Sequence, residues 1–236
     1  MKSGPHEGGV VMTDAVLDAE RACHDLLVRL AGRVPDRLLW RLRDWLAAGG
    51  HSALARSLPK TLLRHRIGLT EAERSLLEAC LPEWGVPQRQ LDAVLPAAEQ
   101  VDTPARFRAE LAPEDLCTDV PGVSGWRDGV DLMLAAVVRG HPGAKELRRS
   151  WRVDRGRPQR VVLAHVTENM PALTGTLQRL LRAHGDLTPC VEIVSPPLAL
   201  PPYHRMALRD SVSLWRAADR EPPTRARRDS GSLVDA

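Results

Sequence analysis

The segment 159–215 constrains the fold most, because only there do strand and helix signals follow one another without interruption. Residues 160–166 form a short apolar run with β-branched side chains, which predicts a largely buried strand. Residues 170–184 carry leucines at helical spacing, and Gly185 predicts a left-handed helix end. Residues 190–194 predict a second strand. A crossover of this length joins parallel strands, so we expect a right-handed β-α-β unit.

Successive amphipathic helices are predicted before this unit. Pro35 opens one of them at a position where its missing N–H does no harm. Ser52 is expected to cap the next helix, which Pro59 should interrupt. Residues 70–73, Thr-Glu-Ala-Glu, form a capping box that predicts another helix start. Because the connections are short, we expect an antiparallel helical bundle over residues 13–96.

The remaining segments give weaker signals. Prolines break residues 97–125, so we expect a connector there, with one short helix at 106–111. Apolar residues at helical spacing predict a helix over 128–139. A second short helix is expected over 143–153, and a final helix over 203–218.

Together these signals predict an α+β fold, with a helical N-terminal bundle followed by a small β-α-β-containing C-terminal region. The length of 236 residues is enough to bury a core, and 43% hydrophobic and 27% charged residues are typical of a globular chain. The expected order is a flexible leader (1–12), the helical bundle (13–96), the connector (97–125), an α/β region (126–218) and a disordered tail (219–236).

The sequence does not predict membrane insertion or secretion. It contains no run of about 18 apolar residues, and the N-terminus lacks the apolar core of a signal peptide. We therefore expect a cytoplasmic protein without membrane contact. The cysteines have no paired spacing and are expected to be reduced thiols; they are Cys23, Cys80, Cys117 and Cys190.

Sequence motifs for metal, nucleophile and phosphate chemistry are missing. The nearest metal-like pair, His165 and Glu168, supplies two ligands, fewer than a zinc site needs. The GxSxG-like stretch 122–126 ends in tryptophan and lacks a preceding strand, and the SxxK match at 57–60 contains a proline that should break the helix. The loop 167–171 carries an acid and no glycine, which disfavours phosphate. We expect neither a metal nor a cofactor.

A site assembled from distant residues is the enzymatic alternative. Side chains able to transfer protons flank the ends of the two predicted strands, where α/β folds usually hold ligands. They are His165, Glu168, Glu192, Tyr203 and His204.

A cluster of arginines precedes and begins the first predicted strand, against the single Asp154. Such a cluster can bind nucleic acid, an acidic protein, or the acidic face of the chain's own helical half. Only Trp151 could stack on a base there, and the net charge of +3 is small, so nucleic acid is the second hypothesis. The cluster comprises Arg148, Arg149, Arg152, Arg155, Arg157 and Arg160.

Two tryptophans also favour a protein partner. Trp40 and Trp45 share a predicted helix but lie about 140° apart around it, so we expect one of them near the surface. Tryptophan and arginine are the residues most often found at protein–protein hot spots. Our leading hypothesis is therefore a non-enzymatic interaction or regulatory protein, an accessory component of a bacterial multi-protein system, with another protein as its partner. The sequence predicts no oligomeric state.

The C-terminal part resembles segments of uncharacterised actinobacterial proteins, through Trp151-Arg152, the predicted β-α-β unit and residues 200–215. The composition agrees with a high-GC genome, since only three of the 33 basic residues are lysine and asparagine occurs once. The resemblance implies an actinobacterial source and brings no activity with it.

Overall fold

The computed structural model describes residues 14–97, 105–111, 129–154, 157–195 and 200–217. Helices precede the strands, and the strands form one mixed sheet, so the expected α+β fold is confirmed. None of the helices in these five ranges has the length and apolar character that crossing a membrane requires.

The N-terminal part is a layer of short helices. The helices Asp36–Ala47 and His51–Arg64 are joined through Gly49, whose φ of +67° suits a residue without a Cβ. The helices are α1 (Asp14–Arg29), α2 (Asp36–Ala47), α3 (His51–Arg64), α4 (Glu71–Cys80) and α5 (Gln88–Asp92), with a 3-10 turn at Pro82–Trp84 before α5.

Two helix starts bear on the capping predictions. The box at Thr70 is confirmed, because the Glu73 N–H donates to Thr70 Oγ1 at 3.3 Å and the Thr70 N–H donates to the Glu73 carboxylate at 3.0 Å. The prediction for Ser52 is wrong, since α3 begins one residue earlier, at His51, and Gly50 occupies the cap position.

Pro59 lies inside α3 without ending it, so the predicted interruption is wrong. A proline in a helix interior removes one hydrogen bond and costs about 3 kcal/mol. One face of α3 packs into the core, and its leucines Leu54, Leu58 and Leu62 are fully buried. Burying each leucine stabilises by about 1.5–3 kcal/mol, which together exceeds the cost of the proline.

Strands and further helices follow in the described residues: β1 (Phe107–Arg108), α6 (Gly129–Arg139), β2 (Ala144–Asp154), β3 (Arg157–Val166), α7 (Met170–Ala183), β4 (Cys190–Val194), α8 (Pro202–Arg209) and β5 (Val212–Arg216). β1 and β5 both pair antiparallel with β2, and β3 pairs antiparallel with β2 on its other edge. β4 pairs parallel with β3. β4 is therefore the last strand on its side of the described sheet.

The predicted β-α-β unit is confirmed. β3 and β4 run parallel, with Val161 opposite Cys190 and His165 opposite Val194, and α7 makes the crossover between them. The predicted helix end is also confirmed, because Gly185 has a φ of +91°.

Three helix predictions are wrong, and each missed a strand. Residues 143–153 form β2, residues 106–111 contain β1, and the helix expected over 203–218 ends at Arg209, after which β5 begins. β1 and β5 each pair with β2, so the three missed strands are neighbours in the sheet. Pairing on both edges of β2 outweighs the helix propensity of its Glu, Leu and Arg residues, because propensity differences are below about 1 kcal/mol per residue.

Successive residues of β3 face opposite sides of the sheet. Val161 and Leu163 belong to the core that α1–α5 and α8 share, whereas Val162 and Ala164 belong to a second core with α6 and α7. The helical layer therefore packs directly on one face of the sheet. The first core joins residues of the predicted bundle to residues of the predicted α/β region; the boundaries between those regions stay predictions.

Gly175 lets α7 approach α2 closely. A Cβ on this residue would lie 2.5 Å from the Cβ of Ala47 and 3.1 Å from Nη1 of Arg179. We expect Gly175→Ala to lower the free energy of unfolding by about 1–2 kcal/mol, because overpacking outweighs the gain in helix propensity. Urea denaturation measures this loss, and Gly175→Ala/Ala47→Gly should recover most of it. A single variant as stable as the parent chain would contradict the close approach.

Candidate functional site

A buried ion pair joins the helical layer to the sheet. Nη1 and Nη2 of Arg43 in α2 donate to the Glu192 carboxylate in β4, at 2.9 and 2.7 Å. Nη1 also donates to the Val191 carbonyl at 2.7 Å, and Nη2 to the Leu27 carbonyl at 3.0 Å. Arg43 is 3% and Glu192 1% exposed. The pair is thus removed from water, and its forked geometry and extra hydrogen bonds offset part of the cost of burying charge.

His204 adds to this ion pair from α8. Its Nε2 donates to Oε2 of Glu192 at 2.9 Å, and its Nδ1 has no partner among the described residues. Burial alone raises the pKa of Glu192, but attraction to Arg43 and the hydrogen bond from His204 lower it to about 2. Glu192 is therefore ionised at neutral pH. We call Arg43, Glu192 and His204 the buried polar cluster.

The outer edge of β4 is closed by side chains from α1 and α2. Nε2 of His24 donates to the Ile193 carbonyl at 3.0 Å, and Arg43 donates to the Val191 carbonyl. Carbonyls two residues apart in a strand point to the same side, so both bonds lie on one edge of β4. Burial lowers the pKa of His24 to about 4, so the imidazole is neutral at pH 7. The helical layer thus takes the place of a neighbouring strand.

A second ion pair lies beside the buried polar cluster. Arg152 in β2 pairs with Asp36 at the start of α2, and its Nη1 donates to the Tyr203 hydroxyl at 3.2 Å. The Tyr203 ring meets Phe107 edge-on, with 5.0 Å between the ring centroids. Burial raises the pKa of Tyr203, so its hydroxyl stays protonated.

Three of the five predicted catalytic residues lie together, in or beside the buried polar cluster: Glu192, Tyr203 and His204. All three are at most 2% exposed, so they contact the protein's own side chains rather than solvent. His165 lies further along β3, and its Nε2 has no partner among the described residues. Glu168 is exposed beyond the end of β3. These three residues therefore form one buried group, and the hydrogen bonds described above do not include His165 or Glu168.

Metal ligands do not gather in the described part of the chain. There, no group of three or more His, Cys, Asp or Glu side chains is arranged to hold an ion. Cys23, Cys80 and Cys190 are buried and free, and Cys117 lies outside the described residues.

The predicted arginine cluster is engaged largely within the protein. Arg149 donates to Asp131 at 2.7 Å and to Glu110 at 2.9 Å, and Arg160 donates to the same Asp131 at 2.7 Å. Both guanidinium groups lie over the Trp151 ring, 5.5 and 5.1 Å from its centroid. Arg149 and Arg160 are both buried. These two cations therefore neutralise the chain's own carboxylates instead of forming a surface for nucleic acid.

Two of the other arginines in the cluster also pair with carboxylates of the chain. Arg148 pairs with Glu146 at 2.7 Å, and Arg152 pairs with α2 as described above. Arg157 begins β3, and Arg155 lies outside the described residues. Of the ion pairs described above, Arg152–Asp36 reaches the predicted helical half, whereas Arg148, Arg149 and Arg160 pair with Glu146, Glu110 and Asp131, which lie beyond it.

An open groove of about 540 Å³ lies between α2 and α3. This volume is typical of sites that hold a small ligand or a short peptide segment. We call it the α2–α3 groove. Its described lining consists of Leu38, Arg41, Leu42 and Trp45 from α2, with Ser57, Lys60, Thr61, Arg64 and His65 from α3 and its end.

The two walls of the α2–α3 groove differ in chemistry. The α2 wall is apolar apart from Arg41, and its Leu42 is buried. The α3 wall carries the exposed cations Lys60 and Arg64, followed by His65. None of the described lining residues is acidic. The groove thus offers an apolar surface bordered by positive charge, which favours an occupant that carries both apolar and acidic groups.

Trp45 and Trp40 face different neighbours. Trp45 lines the α2–α3 groove and packs partly against the core, whereas the Trp40 ring is covered by the Arg182 guanidinium of α7 at 4.2 Å. Both indoles are half-buried. Trp45 alone of the two is placed to meet an occupant of the groove.

Ser57 and Lys60 also lie together in the α2–α3 groove. We expected Pro59 to separate them, but α3 is continuous, so residues three apart share a helix face. They lie on the polar α3 wall of the groove, and none of the described lining residues beside them carries a carboxylate.

No family model matches the chain, and no curated protein or solved structure proves similar to it. Two features stand out among the described residues, namely the buried polar cluster and the α2–α3 groove. The first is closed to solvent and the second is open.

Sequence reasoning missed Arg43 and His24, although a signal for Arg43 was present. A basic residue inside the apolar stripe of a helix predicts a buried acidic partner, because an unpaired charge is too costly to bury. The identity of that partner was not readable, since Glu192 lies 149 residues away. The stripe that contains Arg43 consists of Leu39, Leu42 and Leu46.

Proposed function

We propose that this protein is a non-enzymatic interaction module whose α2–α3 groove receives an acidic segment of another protein. One observation carries the proposal: an open groove with an apolar wall is bordered by four basic side chains and by no described acid. Those basic residues are Arg41, Lys60, Arg64 and His65.

The combination of Trp45 and cations supports a protein segment as the occupant. A half-buried indole offers a large contact area at little entropic cost, and interface hot spots are enriched in Trp and Arg. Positive groups at the rim raise the association rate of an acidic partner and select against basic ones. The groove therefore combines an apolar anchor point with charge selection.

Nucleic acid fits the α2–α3 groove less well. Single strands bind through a row of aromatic rings on which bases stack, and Trp45 is the single aromatic ring in the described lining other than His65. Leu38 and Leu42 offer neither a hydrogen bond nor a charge to a phosphate backbone. Binding of nucleic acid would depend more steeply on salt than binding of an acidic peptide, because a polyanion releases condensed counterions.

A photo-crosslinking amino acid at Thr61 tests the proposal in the native host. We expect it to capture a protein through an acidic segment, with yield lowered at least about tenfold by Lys60→Glu/Arg64→Glu, because the rim charge is reversed. Quantitative mass spectrometry of the crosslinked peptide measures both the yield and the segment.

The matched control is Arg89→Glu/Arg139→Glu, which makes the same charge change at exposed residues on α5 and α6, outside the groove. This control should leave the yield within about twofold, since exposed charges distant from an interface are screened. Capture of nucleic acid, or of proteins that the two double variants affect equally, would overturn the proposal.

A further inference from the structure

We infer that the segment received by the α2–α3 groove is an amphipathic helix of about three to four turns, which lies along α2 and α3 as a third helix. The inference rests on the proposed function and specifies the form of its ligand.

The lining residues repeat at helical spacing on both walls. On each helix the members fall at positions i, i+3, i+4 and i+7, which share one face. Each stripe spans eight residues, which places its ends about 10 Å apart along the helix axis. The two stripes are Leu38, Arg41, Leu42 and Trp45 on α2, and Ser57, Lys60, Thr61 and Arg64 on α3.

Two such stripes side by side form a trough whose ridges and grooves suit another helix. Side chains of a helix pack into the spaces between i+3 and i+4 rows of its neighbour. A trough about 10 Å long accommodates two turns in full contact, and a turn at each end gives the ligand about 14 residues. α2 and α3 already contact each other, so a third helix would continue their packing.

An extended segment is the less favourable occupant. Strand addition relies on unpaired backbone N–H and C=O groups of a sheet edge, whereas both walls here are helices whose interior backbone groups bond to one another. An extended backbone against Leu38 and Trp45 would lose hydrogen bonds to water without gaining others. A helix satisfies its own backbone and can bury its apolar stripe.

The unlike walls also set the orientation of the ligand's faces. Its apolar stripe packs on Leu38 and Trp45, and an acidic stripe meets Lys60 and Arg64. Because those two cations are four residues apart, acidic residues at i and i+4 of the ligand match them.

Synthetic peptides of about 14 residues test the inference with the full chain. The first carries Leu at i, i+3, i+4 and i+7 with Glu on the adjoining stripe. The second has the same composition rearranged to a period of two, and the third is the first with a central Ala replaced by Pro. We expect the first to bind at least about tenfold more tightly than either of the others, with chemical-shift changes at Leu38 and Thr61 and a gain of helical circular dichroism.

The groove variants separate the possible outcomes. Lys60→Glu/Arg64→Glu should weaken the first peptide at least about tenfold, while Arg89→Glu/Arg139→Glu should not; circular dichroism checks that both variants stay folded. Equal, groove-dependent binding of all three peptides would overturn the helical ligand but leave the proposed function standing. If the first peptide does not bind, the helical ligand is also overturned. If it binds with an affinity that neither double variant changes, both the helical ligand and the groove as its site are overturned.

Discussion

Replacing Arg43 with Met is expected to lower the free energy of unfolding by about 3–5 kcal/mol. The substitution removes the cation that neutralises Glu192 and leaves a carboxylate that is 1% exposed with His204 as its remaining side-chain partner. It also leaves the Val191 carbonyl without its donor. Both losses act on groups that water cannot reach, so neither is compensated by solvation. Urea denaturation followed by tryptophan fluorescence measures the change.

Two comparisons make this result specific to the ion pair. Arg41→Met changes the same residue type on the exposed side of α2 and should cost less than about 0.5 kcal/mol. Arg43→Met/Glu192→Gln removes both charges and should recover more than half of the loss, because an uncompensated buried charge is the larger part of it. A cost below about 1 kcal/mol for the single variant, or no recovery in the double variant, would show that the pair does not hold the helices to the sheet.

Acidification is expected to destabilise the protein in two successive stages. The pKa of His24 is near 4 in the folded chain against an ordinary value of 6.5, because burial disfavours the imidazolium. The unfolded chain therefore binds more protons, so this contribution is complete above pH 6.5 and falls by about 3 kcal/mol as the pH drops to 4. Glu192 acts next, since its folded pKa is near 2 against an ordinary 4.5. Its contribution, also about 3 kcal/mol, is present above pH 4.5 and is lost toward pH 2.

His24→Gln isolates the first of these stages. The glutamine amide can donate to the Ile193 carbonyl in place of Nε2, but it does not titrate. We expect the variant to lose most of the slope between pH 6.5 and 4 while keeping the decline below pH 4.5. Unfolding free energies at half-unit pH intervals measure both regions. A parent chain whose stability stays flat between pH 6.5 and 4.5 would contradict a buried neutral imidazole.

The fold class was predictable because its strongest signals are local. The β3–α7–β4 unit combines an apolar strand, a leucine-spaced helix and Gly185 within a short stretch, and the Thr70 box depends on side chains three residues apart. β1 and β5 escaped prediction because they pair with β2, which is distant from both in sequence. β2 itself pairs with β3 across a short connection and escaped for a different reason. β2 carries Arg149 and Ser150 as buried residues, so its sequence lacks the apolar alternation that marks a strand.

The candidate site was only partly accessible to sequence reasoning, for a related reason. Glu192, Tyr203 and His204 were among five residues expected near the strand ends, whereas their enclosure by Arg43 and the helical layer was not predicted. The α2–α3 groove was not predicted, because it requires α3 to continue through Pro59. Helix propensity indicated an interruption at that proline. The residue types indicated which chemical groups were available, whereas the sequence did not indicate which of them solvent could reach.

The hydrogen bonds that close the outer edge of β4 join segments that are synthesised at different times. His24 meets Ile193 across 169 residues and Arg43 meets Glu192 across 149. At about 5–20 residues per second of synthesis, the first two helices leave the ribosome roughly 7–30 seconds before β4 exists. During that interval Arg43 and His24 lack their partners in β4, and we expect these polar groups to keep the apolar face of the nascent helices hydrated. We therefore expect the groups that close the sheet edge in the folded protein to reduce premature association during translation.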